Sequence, residues 1–170
     1  SLQMTPPASL FGKKNWKKLS EENTVQSKKE LYRWIEYWKL KFKSRTYTPL
    51  ANADTQWTPV LMTRADIGSY NKYLKSPFET FYVGGDGMSG SYTYATETIG
   101  LRGYDNGQFT PWQSEGYAYT RFGLELHFPL MLQPTTTIYA LAFVEGGNAW
   151  TSVSQFNPFT IKRSAGAGVR

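Results

Sequence analysis

The chain contains no cysteine, which excludes a disulfide framework and a thiolate metal site. Histidine is nearly missing too: His127 stands alone. Nothing around it has the spacing of a nucleophile elbow or a metal pair, and its place on the polar side of an alternating segment suits a structural role. No catalytic residue, metal site or cofactor is therefore expected, and the chain is not expected to be an enzyme. Long apolar runs are also lacking, and none approaches the roughly 20 residues of a transmembrane helix. That absence leaves membrane barrels open, because their strands carry a weaker, alternating signal. Acidic residues are few, 13 against 19 Lys and Arg, for a net charge of +6.

Aromatic residues, by contrast, are abundant at 16%, set in alternating runs that favour β-structure. The 170 residues suit one domain. Both ends read as cut. Ser1 opens directly into Leu2-Gln3-Met4-Thr5, and Gly168-Val169-Arg170 stop inside an alternating segment, so a piece of a larger protein is expected.

Leu2 to Phe11 reads as a strand end broken by Pro6-Pro7. Gly12 to Glu30 reads as a solvated, lysine-rich loop, in which Ser20 ahead of Glu21 and Glu22 suits the cap of a helical turn. Leu31 to Thr48 alternates with period two. Tyr32, Trp34, Trp38, Leu40, Phe42 and Thr46 share one face, while Arg33, Tyr37, Lys39, Lys41, Lys43 and Arg45 share the other. Val60 to Tyr70 alternates again, as do Tyr117 to Leu130 and Thr137 to Gly146. Pro129 and Pro134 are expected to bracket a turn, and Ile161 to Arg170 begins one more strand. Helical periodicity is absent from Tyr117 onward.

Between the second and third of these strands lies a Gly- and Tyr-rich connection, about 74–116. A connection this long without regular structure is usually functional. Its Gly85 to Gly90 matches G-x-G-x-x-G, but the β-prone Ser91 to Thr96 that follows opens no helix, as a dinucleotide fingerprint requires. Arg102, in Leu101-Arg102-Gly103-Tyr104, is the only Lys or Arg between Lys75 and Arg121. An arginine carried into a confined space needs a carboxylate, because an unpaired buried charge is costly. Glu125 and Glu145, each mid-strand, are the candidates.

Charged residues in mid-strand beside large tyrosines suit a water-filled lumen, with Trp, Phe and Leu turned to lipid. A soluble sandwich with its charged face in bulk water also fits the alternation. Nucleic-acid binding fits less well, since the tryptophans lie opposite Lys39, Lys41 and Lys43 rather than beside them.

Phe78-Glu79-Thr80-Phe81-Tyr82-Val83-Gly84-Gly85, then Leu101-Arg102-Gly103-Tyr104, then Gly123-Leu124-Glu125-Leu126, then Phe143-Val144-Glu145-Gly146-Gly147 resembles the C-terminal barrel of the outer-membrane protein assembly factor family (BamA, or bacterial surface antigen). The resemblance covers nearly the whole chain. It implies an all-β fold, part of a sixteen-stranded transmembrane antiparallel barrel with about six strands present, from the ninth to the start of the fourteenth. Residues 1–170 would be a partial barrel domain, with its POTRA domains and terminal strands elsewhere. The resemblance also implies that the loop folds into the lumen, where Arg102, Gly103 and Tyr104 lock onto Glu125 and Glu145. Lys39, Lys41, Lys43 and Arg45 would face the lumen. The implied activity is assembly and insertion of β-barrel proteins in the outer membrane of a Gram-negative bacterium, without a cofactor. Nascent outer-membrane proteins, assembly-complex lipoproteins and outer-membrane lipid would be the partners, and nucleic acid would not. A two-partner-secretion translocator is the alternative within the superfamily, and a soluble polyanion-binding β-domain the alternative outside it. Two departures stand out: Glu145 replaces the family's Asp, and Asp86 to Gly100 is an insertion.

Overall fold

The computed structural model describes residues 1–5, 16–22, 24–31, 33, 37–51, 57–72, 80–85, 97–110 and 116–170. In chain order its strands are β1 (Leu2–Met4), β2 (Tyr37–Pro49), β3 (Val60–Lys72), β4 (Phe81–Val83), β5 (Glu97–Ile99), β6 (Ala118–Gln133), β7 (Thr136–Trp150) and β8 (Lys162–Val169). Six of them form one sheet in the order β1-β2-β3-β6-β7-β8, and every neighbouring pair is antiparallel. The sheet is open, with β1 and β8 at its edges: an all-β wall of a partial barrel.

Strand length fits such a wall. β2 and β3 have 13 residues each, β7 has 15 and β6 has 16. At about 3.3 Å per residue these reach roughly 40–50 Å, against about 17–20 Å for a strand of a globular protein. Tilted strands of that length can cross a hydrocarbon layer of about 30 Å.

The period-two pattern sorts the two faces. Leu40, Phe42, Leu124, Leu126, Phe128, Leu130 and Val144 are exposed on one face. Trp38 and Phe122, on the same parity, are half-buried. On the other face, Lys39, Asp66, Tyr119, Glu125 and Glu145 are buried beneath the long connection. There Tyr70 and Tyr119 join Phe81, Val83 and Ile99 of the connection in one core cluster. The Tyr119 ring lies over its cross-strand partner Gly68, where any side chain would collide with it.

Several expectations need correction. Gly12 to Glu30 holds two short helices, α1 (Trp16–Glu21) and α2 (Val25–Leu31). Ser20 lies inside α1, and the reciprocal cap belongs to α2. There Thr24 Oγ1 accepts from the Ser27 N–H at 3.2 Å, and Ser27 Oγ accepts from the Thr24 N–H at 3.1 Å. A serine takes the third position where a Glu or Gln would flag such a box in a sequence. Leu31 ends α2, so the basic strand starts at Tyr37. Tyr32, Trp34, Ile35 and Glu36 lie outside the described residues.

Pro129 ends no strand. β6 continues to Gln133, with its register shifted between Pro129 and Met131, and Pro134 and Thr135 make the turn. A bulge of this kind lets a strand tolerate a residue without an N–H. The connection over 74–116 also has regular structure: β4 and β5 pair in parallel, Phe81 with Glu97 and Val83 with Ile99. Most of the G-x-G-x-x-G match, Asp86 to Gly90, and the insertion up to Thr96 lie outside the described residues.

Candidate functional site

Arg102 reaches the buried face just after β5. Its entry is fixed by the main chain, because the Leu101 N–H donates to the Gly85 carbonyl at 2.8 Å and Leu101 is fully buried. Gly103 follows with φ of +83°, and a Cβ there would stand 2.9 Å from Ser164 Cβ. Both the left-handed backbone and the close approach to β8 call for glycine. Tyr104 then donates its hydroxyl to the Arg163 carbonyl of β8 at 2.6 Å and packs edge-on against Phe109, ring centres 4.8 Å apart.

The guanidinium sits between β6 and β7. Arg102 Nε and Nη2 donate to Glu145 Oε1 at 3.0 and 2.6 Å, and the Arg102 backbone N–H donates to Glu145 Oε2 at 3.1 Å. Nη2 also reaches Glu125 Oε2 at 2.5 Å. The Phe143 ring lies below, its centre 3.7 Å from the guanidinium carbon. Glu145 further accepts from Arg121 Nη2 at 3.0 Å. His127 Nε2 stands 2.6 Å from Glu125 Oε1, and its ring stacks on Tyr139. Two arginines thus face two carboxylates in a site where Glu145 is only 2% exposed. Burial works against the charge on Arg102, but hydrogen bonds and charge from Glu145 and Glu125 outweigh it and raise the guanidinium pKa.

Glu145 in place of an aspartate is accommodated locally. Its side chain crosses Gly123, the cross-strand partner on β6, with Cγ 3.5 Å from where a Cβ would stand. Its Oε1 accepts from both Arg102 and Arg121.

The basic residues of β2 divide. Lys41 Nζ lies 2.9 Å from Glu97 Oε2, Lys39 Nζ 3.6 Å from the same oxygen, and Lys43 Nζ 3.4 Å from Oε1. Lys39, 1% exposed, also stands 4.9 Å above the centre of the Phe81 ring. Arg45 is exposed and faces Arg64 across the β2–β3 pair, away from this group. Sequence reasoning missed Glu97, the bond from Arg121 to Glu145 and the carbonyl partner of Tyr104. The scarcity of acids was the one available hint to Glu97. Nothing in the sequence marks a backbone acceptor for Tyr104.

An antiparallel wall, apolar outside and bearing an inward loop pinned by ion pairs inside, defines a β-barrel membrane protein. The Omp85 superfamily domain matches residues 18–170. The chain belongs to the Omp85 superfamily, whose members act in protein insertion or secretion at outer membranes. No curated protein matches the chain.

Proposed function

We propose that the chain is the central part of the barrel of an insertase of the BamA type, which folds other β-barrel proteins into the bacterial outer membrane. The observation that carries this reading is the seat of Arg102, where one arginine of an Arg-Gly-Tyr loop holds carboxylates on two neighbouring strands. In this reading Arg102, Gly103 and Tyr104 with Glu125 and Glu145 lock the loop inside the lumen. The exposed band of Leu40, Phe42, Leu124, Leu126 and Val144 meets lipid. POTRA domains and the remaining strands belong to the rest of the protein, and accessory lipoproteins are its partners. Engagement of Lys39, Lys41 and Lys43 by the chain's own Glu97 supports the barrel over a polyanion-binding surface.

Depletion of the full-length protein tests the proposal. A general loss of β-barrel proteins from the outer membrane, with Arg102→Ala failing to restore them, is the expected result. Loss of a single secreted polypeptide, with the barrel proteins intact, would instead make the protein a translocator.

A further inference from the structure

We infer that Glu97 is a second anchor of the loop, and that Glu97 and Arg102 together strap the loop across the barrel interior from β2 to β7. This goes beyond the insertase reading and does not depend on it. Arg102 is tied to β6 and β7, while Glu97, five residues earlier, is tied to three lysines of β2. In the sheet order β2-β3-β6-β7 those walls are three strand spacings apart. Three spacings make about 14 Å, and five residues of extended chain span about 17 Å, so the segment is long enough to reach both walls.

The strap is braced along its length. The Glu97 N–H donates to the Thr80 carbonyl at 3.0 Å, the Gly84 N–H to the Ile99 carbonyl at 3.0 Å, and the Leu101 N–H to the Gly85 carbonyl. The bracing strand is itself held, since the Phe81 N–H donates to the Gly116 carbonyl at 2.9 Å. Pulling either end therefore moves a hydrogen-bonded unit, not a loose chain. At the β2 end, Lys39, Lys41 and Lys43 project from one face at two-residue spacing, and each reaches the Glu97 carboxylate. Without it the ion pairs that tie β2 to the loop are lost. The strap thus ties β2 to β7 through the loop as well as through the sheet between them, and limits how far the two walls move relative to each other.

The test reads distance and not assembly activity, so it can fail while the insertase reading stands. Spin labels go on cysteines placed at Phe42 and Val144, both exposed on the outer face of β2 and β7, in full-length protein reconstituted in lipid. Pulsed dipolar spectroscopy should give one narrow separation for the parent chain. Glu97→Gln should widen the distribution at least twofold and Glu97→Lys should widen it further. Pairing Glu97→Lys with Lys41→Glu should narrow it again. If Glu97→Lys does not reach the membrane, Glu97→Gln and Lys43→Gln carry the comparison, since neither adds a charge. An unchanged width in both overturns the strap.

Discussion

Glu145 takes three hydrogen bonds from one residue, Arg102: two from the guanidinium and one from the backbone N–H. The carboxylate therefore holds the path of the main chain as well as a charge. A lysine at this position would supply a point charge without the planar fork. Arg102→Lys should accordingly loosen the loop nearly as much as Arg102→Ala, read as faster proteolysis of the loop in the full-length barrel. Equal protection of the lysine variant and the parent would contradict this.

The two carboxylates should not contribute equally. In double-mutant cycles, Arg102→Ala with Glu145→Gln should show the larger coupling, about 1–3 kcal/mol for charge-assisted bonds. That lies below the 3–5 kcal/mol of a fully buried pair, because the Arg102 side chain is 31% exposed. Coupling to Glu125, which makes one bond to Arg102, should be smaller. Arg121→Ala should cost about 1 kcal/mol, since Glu145 keeps its three bonds from Arg102. Unfolding of the barrel in lipid measures all of these, and the reverse order would refute the assignment.

Gly103→Ala should destabilise the loop through two separable causes. The left-handed backbone costs about 1–2 kcal/mol, and the new methyl meets Ser164. Ser164→Gly should relieve the second cause and leave the first, so the double variant should recover only part of the loss. Complete recovery would show that φ is not the constraint.

An arginine at Leu124, 52% exposed on the outer face, should cost about 2–4 kcal/mol in a bilayer if that face meets lipid near its midplane. Folding titrations in lipid vesicles measure it. A cost near zero would place Leu124 in water and invert the assigned faces.

Acid should release the Glu97 end of the strap. Burial pushes the Glu97 carboxyl up, but the hydrogen bond and charge of Lys41, with the charges of Lys39 and Lys43, outweigh it and leave the pKa lowered. A lowered pKa means that the stabilisation is complete above the ordinary carboxylate range and is lost as the pH falls through the depressed value. The labelled Phe42 and Val144 pair should keep its narrow separation at neutral pH and broaden only below that range. Broadening near neutrality would rule out Glu97 as the titrating anchor.

Local pattern was enough to determine which face of each long strand is polar. Side chains alternate with period two, so Leu40 and Phe42 oppose Lys39 and Lys41 whatever the strand pairs with. The same pattern placed Glu125 and Glu145 on one side of the sheet. The scarcity of positive charge between Lys75 and Arg121 made Arg102 the residue to follow, and the strand-like segments offered Glu125 and Glu145 as its carboxylates, which the family resemblance matched. Local signals failed where a bulge or a serine did the work of the expected residue. Pro129 looked like a strand end, and the Thr24–Ser27 cap carries no acidic partner.

Tertiary structure decided the rest, because it brings together groups far apart in the chain. β4 and β5 pair in parallel across a long intervening segment, a contact that no local period encodes. Glu97 meets three lysines more than fifty residues earlier, and Tyr104 meets a carbonyl 59 residues later. Charge and alternation specify which side chains seek a partner on the inner face. The register of β2, β3, β6 and β7 and the path of the loop over them select which partner each one finds.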